Sequence, residues 1–215
     1  MQIQSYWKRS EFLTTLALSF VCCIRLAGAG EAPVETEKDV RTRFMQAYTG
    51  AAKPILRADA VLMLKGLHED DSLRLISGLL GDSVPEVRRN ACQVMSGVKD
   101  PSGQLVKPLT AALFDKDIQV RTFAAEALGH AQLKALASKA LVQLLEETAG
   151  REHPDAKLVG TIHVALGKLS GVDMGKEIEV HDIAAKWRKW WDESKDALES
   201  SDDAYRAKLP PHEQE

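Results

Sequence analysis

A four-point apolar stripe returns along this chain and limits its fold more tightly than any other feature. In "VRRNACQVM" the residues Val87, Ala91, Val94 and Met95 fall at i, i+4, i+7 and i+8, the spacing of one side of an α-helix. "VRTFAAEALG" repeats it with Val120, Ala124, Ala127 and Leu128, and "LVGTIHVALG" with Leu158, Ile162, Ala165 and Leu166. "LRADAVLML" gives Leu56, Ala60, Met63 and Leu64. The copies start at 56, 87, 120 and 158, so the intervals are 31, 33 and 38 residues. Recurrence at that period marks stacked helical units.

Further helices lie between these. Leu73, Ile76, Leu79 and Leu80 share one stripe, Leu105, Leu109, Ala112 and Leu113 the next, and Leu141, Leu144 and Leu145 a third. Each unit therefore reads as a helix, a short turn and a second helix. The turns are "HEDD" (68–71), "GDSVPE" (81–86), "KDPSGQ" (99–104) and "FDKD" (114–117). Pro85 and Pro101 stand where helices start or stop, and Asp and Ser offer N-caps. No stretch alternates with period two, so no sheet is expected. One hairpin buries too little to stand alone, and stacking builds a continuous core. The expected fold class is all-α, a solenoid of helical hairpins.

The stretches "DSVPEVRRNACQVMSG" and "DKDIQVRTFAAEALGH" fit D-x-x-x-x-V-R-x-x-A-x-x-A-L-G. On that pattern the chain resembles the HEAT-repeat family over residues 54–169, and within it the short bacterial, phycobilisome-lyase-like form. The resemblance implies a right-handed α-α superhelix. It also implies a ladder of Asp82, Arg88, Asp115 and Arg121, with each aspartate in an intra-repeat turn and the charges pairing across adjacent turns. The first copy keeps Arg57 but has Ala51 for the aspartate, and the last has Val159 for the arginine. The ladder is therefore expected to fail at both ends.

An array needs its ends covered. Residues 30–53 supply an N-terminal capping helix and linker, with Val40, Phe44, Ala47 and Tyr48 on one stripe. Residues 170–199 supply a tryptophan-rich cap. There Ile183, Ala184, Trp187, Trp190, Trp191 and Leu198 lie on one helical face, and each tryptophan can bury on the order of 200 Å². The phrase resembles a cap of secreted bacterial HEAT-like proteins, "L-[ST]-G-x-D-x-G" followed by "W-x-x-W-W". The rival reading is an aromatic platform for sugars or a peptide, which requires exposed indoles; a nucleic-acid stacking site is the other. Residues 200–215 are polar and contain Pro210 and Pro211, and read as a disordered tail.

The first 29 residues read as a secretory signal. Lys8 and Arg9 precede the apolar run Phe12–Ile24, and Ala27-Gly28-Ala29 follows as a small-x-small site. The run is too short for a bilayer, which takes roughly 20 apolar residues. Cleavage after Ala29 leaves 25 basic and 30 acidic residues, a net charge of −5, and Cys92 as the only cysteine. A single cysteine forms no internal disulfide, and the apolar setting of Cys92 points to a buried, inert thiol. The chain is expected to be exported, to the periplasm or beyond the cell. No membrane span is expected once the signal has gone.

Chemistry is sparse. His68, His130, His153, His163, His181 and His212 form no metal-ligand spacing and read as incidental surface residues. No phosphate-cradling glycine loop or nucleophile elbow is present, and "SGVDMGKE" lacks the strand such a loop requires. Neither a metal nor a cofactor is expected. Net charge gives no basic excess of the kind nucleic acid selects. The resemblance implies that the second helices line the concave face, where Arg74, Lys107, Lys139 and Gln143 would form a row for an acidic partner. The functional reading is a non-catalytic, monomeric scaffold that binds a protein on a rigid curved surface. The alternatives are a ligand-binding module using exposed tryptophans, and a lyase-like enzyme or accessory subunit.

Overall fold

The structure is a computed structural model that describes residues 35–98, 100, 103–175 and 179–209. The chain divides at Glu37, and every helix among the described residues belongs to the unit Glu37–Glu215. The signal segment 1–29, residues 30–34, Pro101 and the end of the tail, 210–215, lie outside the described residues.

Every regular element among the described residues is helical: α1 Glu37–Gly50, α2 Pro54–Val61, α3 Asp70–Gly78, α4 Pro85–Ser96, α5 Val106–Ala112, α6 Ile118–Leu128, α7 Lys134–Ala149, α8 Ala156–Ser170 and α9 Val180–Arg206. Short 3-10 turns extend α2 (Leu62–Leu64) and α3 (Leu79–Gly81). Proline opens α2 and α4 at N1, where its missing N–H is not needed. Asp117 and Asp155 cap α6 and α8, accepting from Gln119 and Val120 and from Leu158.

The helices stack in two rows. α2, α4, α6 and α8 pack side by side in an unbroken inner row. α1, α3, α5, α7 and α9 form the outer row, where α3 stands off from α5. The inner helices approach closely: a Cβ on Gly129, at the end of α6, would lie 3.0 Å from Cα of Ala165 on α8. Between the rows runs one apolar core, to which the stripes at 87, 120 and 158 contribute every member.

Two expectations need correction. In the first copy Ala60 and Leu64 are buried, but Leu56 is 49% exposed. The helix before it offers only Phe44 as a buried residue of α1, too little to cover that first turn. The tail expected to be disordered from Ser200 is helical to Arg206. Its polar composition hides the periodic contacts of Leu198, Asp202 and Tyr205 with the rest of the stack.

Candidate functional site

The ladder motif is built twice in the same way. Asp82 Oδ1 accepts the N–H of Val84 at 2.7 Å, and Asp115 Oδ1 that of Asp117 at 2.8 Å, each closing the turn before an inner helix. Arg88 Nη1 then donates to the Asp82 carbonyl at 2.8 Å, and Arg121 Nη1 to the Asp115 carbonyl at 2.7 Å. The six-residue spacing thus joins guanidinium to backbone. The charge pair runs between repeats: Arg88 Nε and Nη2 meet the Asp115 carboxylate at 2.7 and 2.8 Å. Burial pushes the Asp115 carboxyl up, but the Arg88 bonds, the Asp117 N–H and the nearby positive charge together outweigh it and hold the group below its ordinary value. At the first rung Tyr48 does for Asp82 what Arg88 does for Asp115. Its hydroxyl donates to Asp82 Oδ2, and Arg57 lies 5.9 Å over its ring. Burial, then the bond to Asp82, push the Tyr48 phenol up to about 12.

The tryptophans are packed inside. Trp187 is fully buried, Trp191 nearly so, and Trp190 is half-buried with its ring edge-on to Trp187. The indole Nε1–H of Trp187 donates to His163 Nδ1 at 2.9 Å. An indole can only donate, so Nδ1 is the acceptor and the proton sits on Nε2, which donates to the Gly175 carbonyl at 2.9 Å. His163 therefore pins both the cap helix and the loop feeding it onto α8. The sequence reads it as an incidental surface histidine, because its partners lie 12 and 24 residues away and follow no spacing rule. Cys92 is buried, and its thiol is pushed up to about 12 chiefly by that burial, which leaves it inert.

Arg74, Lys107, Lys139 and Gln143 are all exposed, but they stand on the outer row. The hairpins are joined by the aspartate turns, which makes α4, α6 and α8 the second helices of their units. The stripe fixes a period and leaves its phase open, and the residues of the expected basic row belong to the helices of the outer row. Arg74 faces Asp71 at 4.0 Å, and Lys139 shares a notch with Glu199 and Asp203 of α9.

The solvent face of the inner row carries a different set of residues. Ile55 and Leu62 of α2 and its 3-10 turn are 53% and 43% exposed, and Val164 of α8 is 55% exposed. Repeat equivalence aligns Leu62, Gln93, Glu126 and Val164 along this face. Between α6 and α8 it opens into a groove of about 510 Å³, lined by Glu126, Lys157, Gly160, Thr161, Val164 and Lys168. Gly160 is open to solvent, with nothing within 4 Å of an added Cβ. Among the described residues no group of three or more His, Cys, Asp or Glu is placed to hold a metal, and no helix is long and apolar enough to cross a membrane.

Two helix rows, a shared core and paired aspartate turns have a counterpart among known families. Residues 74–157 match the family model of the HEAT repeats. The match runs from α3 to the threshold of α8 and contains both ladder turns. It supports a HEAT-repeat reading of the stack, and HEAT repeats typically serve as scaffolds for protein interaction. No curated protein matches the chain.

Proposed function

We propose that this protein is an exported, non-catalytic HEAT-type scaffold whose inner row of helices forms a concave face that grips a protein partner. The observation that carries the reading is the exposure of large apolar residues at both ends of that face, Ile55 and Leu62 at one and Val164 at the other, on rigid helices and flanked by charge. Exposed apolar residues on a concave surface with a charged rim suit protein recognition. Lys157 and Lys168 beside the groove favour an acidic partner segment, and Glu126 sets its register. The protein acts as a monomer without a cofactor, and its cap is of the secreted bacterial kind. A tryptophan platform for glycans needs exposed indole faces, and the burial of Trp187 and Trp191 speaks against it.

The test is affinity capture from native extract with wild-type protein, Gly160→Tyr and Lys107→Glu. Gly160→Tyr fills the groove where space is open, and Lys107→Glu reverses a charge on the outer row. The expected result is a discrete partner lost with Gly160→Tyr and kept with Lys107→Glu. The opposite pattern returns the function to the outer row. Export predicts a mature chain beginning at Gly30, read by intact-mass measurement of protein from the expressing cell.

A further inference from the structure

α9 has two halves of different character. Its first half seals the stack with Ile183, Ala184, Trp187 and Trp191, all buried. After Trp191 only Asp202 is buried, with Leu198 and Tyr205 partly so. There the exposed charged residues are acidic apart from Lys195: Asp192, Glu193, Asp196, Glu199 and Asp203. This half lies antiparallel along α7 and ends on two open clefts. One, of about 280 Å³, is lined by Leu136, Lys139, Glu199 and Asp202. The other, of about 630 Å³, is walled by Met95, Val98, Leu105, Leu109 and Ala131, with Tyr205 of α9 closing one side.

Asp202 is the latch between them. It is 4% exposed, and its two carboxylate oxygens accept the N–H groups of Lys134 and Ala135, each at 2.9 Å. It thereby satisfies backbone donors at the start of α7, which has no side-chain cap of its own. Burial pushes its carboxyl above the ordinary value despite those bonds, so the latch holds a desolvated charge.

We propose that the last two turns of α9, residues 199–206, are a releasable strap, and that their seat on α7 and the adjoining cleft is a second docking place. The partner that fits is an acidic helix presenting a carboxylate and, three residues on, an aromatic ring, as Asp202 and Tyr205 do. Only the identity of a displacing partner depends on the scaffold reading; the strap and its seat stand on contacts within the chain. Because the strap is tethered, it competes at an effective concentration on the order of mM, and the free protein keeps the seat closed.

The test uses the full mature chain and a synthetic peptide of residues 192–209 as the probe. The wild-type protein is expected not to bind it measurably. The double variant Asp202→Ala/Tyr205→Ala, whose own strap is disabled, is expected to bind it. A peptide carrying the same two substitutions should bind at least about tenfold more weakly, the loss of an anchor. Hydrogen exchange should rise in residues 199–206 of the variant while Trp187 emission stays unchanged. If the double variant does not fold, Tyr205→Ala alone is read in the same way. Failure of the intact peptide to bind a folded variant overturns the proposal. So does loss of Trp187 burial together with the strap, which would make α9 one cooperative unit. Dimers that exchange α9 between two copies, seen by light scattering, would assign the seat to a second copy and overturn the partner assignment. None of these outcomes bears on the concave groove, which Gly160→Tyr tests separately.

Discussion

Arg88 and Arg121 hold the same pose one repeat apart, yet only Arg88 meets a carboxylate. The buried Nε of Arg121 has no hydrogen-bond partner among the described residues. Repeat equivalence puts His153 where Asp115 stands for Arg88. His153→Asp is therefore expected to complete the rung and raise stability by about 1.5–3 kcal/mol, the range for bonds to charged groups, measured by urea unfolding. Conversely, Asp115→Ala strands the buried Arg88 guanidinium and should cost about 3–5 kcal/mol. Glu37, Asp82 and Asp115 all have carboxyls held below their ordinary values. Their contribution is present above the unfolded values of about 4 and is lost as pH falls through the folded ones. Asp202 has the opposite sign: its contribution is present below the unfolded value and lost as pH rises through the folded one. The melting temperature should fall on acidification below about pH 4, and less steeply than the three lowered groups alone would dictate. The aspartate–arginine spacing is legible because it is local. The Arg88–Asp115 pair is expected in kind, while the Tyr48 substitute bridges 34 residues and leaves no pattern to read.

At the scale of the element, α9 shows where periodicity suffices and where it stops. Its tryptophan face is plain in the sequence, since bulky and apolar residues share one side of a helix. The second half is not, because its key contact is a buried carboxylate and polar composition normally signals solvent. His163 belongs to the same class of hidden residue. His163→Ala removes the acceptor for a fully buried indole N–H, and should cost about 1–3 kcal/mol with a red shift in tryptophan emission. In α8, Gly160 sits mid-helix with open space around it. Gly160→Ala should raise stability by about 0.5–1 kcal/mol in the same unfolding assay, and a loss instead would contradict the open surroundings of that position.

For the whole molecule, the repeat dictates a stacked all-helical fold with a continuous core, and the structure has that architecture. A periodic sequence does not say where its unit begins, and that phase decides which row of helices is concave. Arg74, Lys107 and Lys139 therefore belong to the outer row, and Ile55, Leu62, Gly160 and Val164 come forward on the inner one. Small residues such as Gly129 and Ala165 let the inner helices approach closely. The most direct measurement is photo-crosslinking from a reactive residue placed at Val164, compared with one at Lys107, in the native setting. Discrete partner adducts from position 164 and none from 107 are the predicted result. Adducts from 107 with none from 164 would contradict the concave-face account.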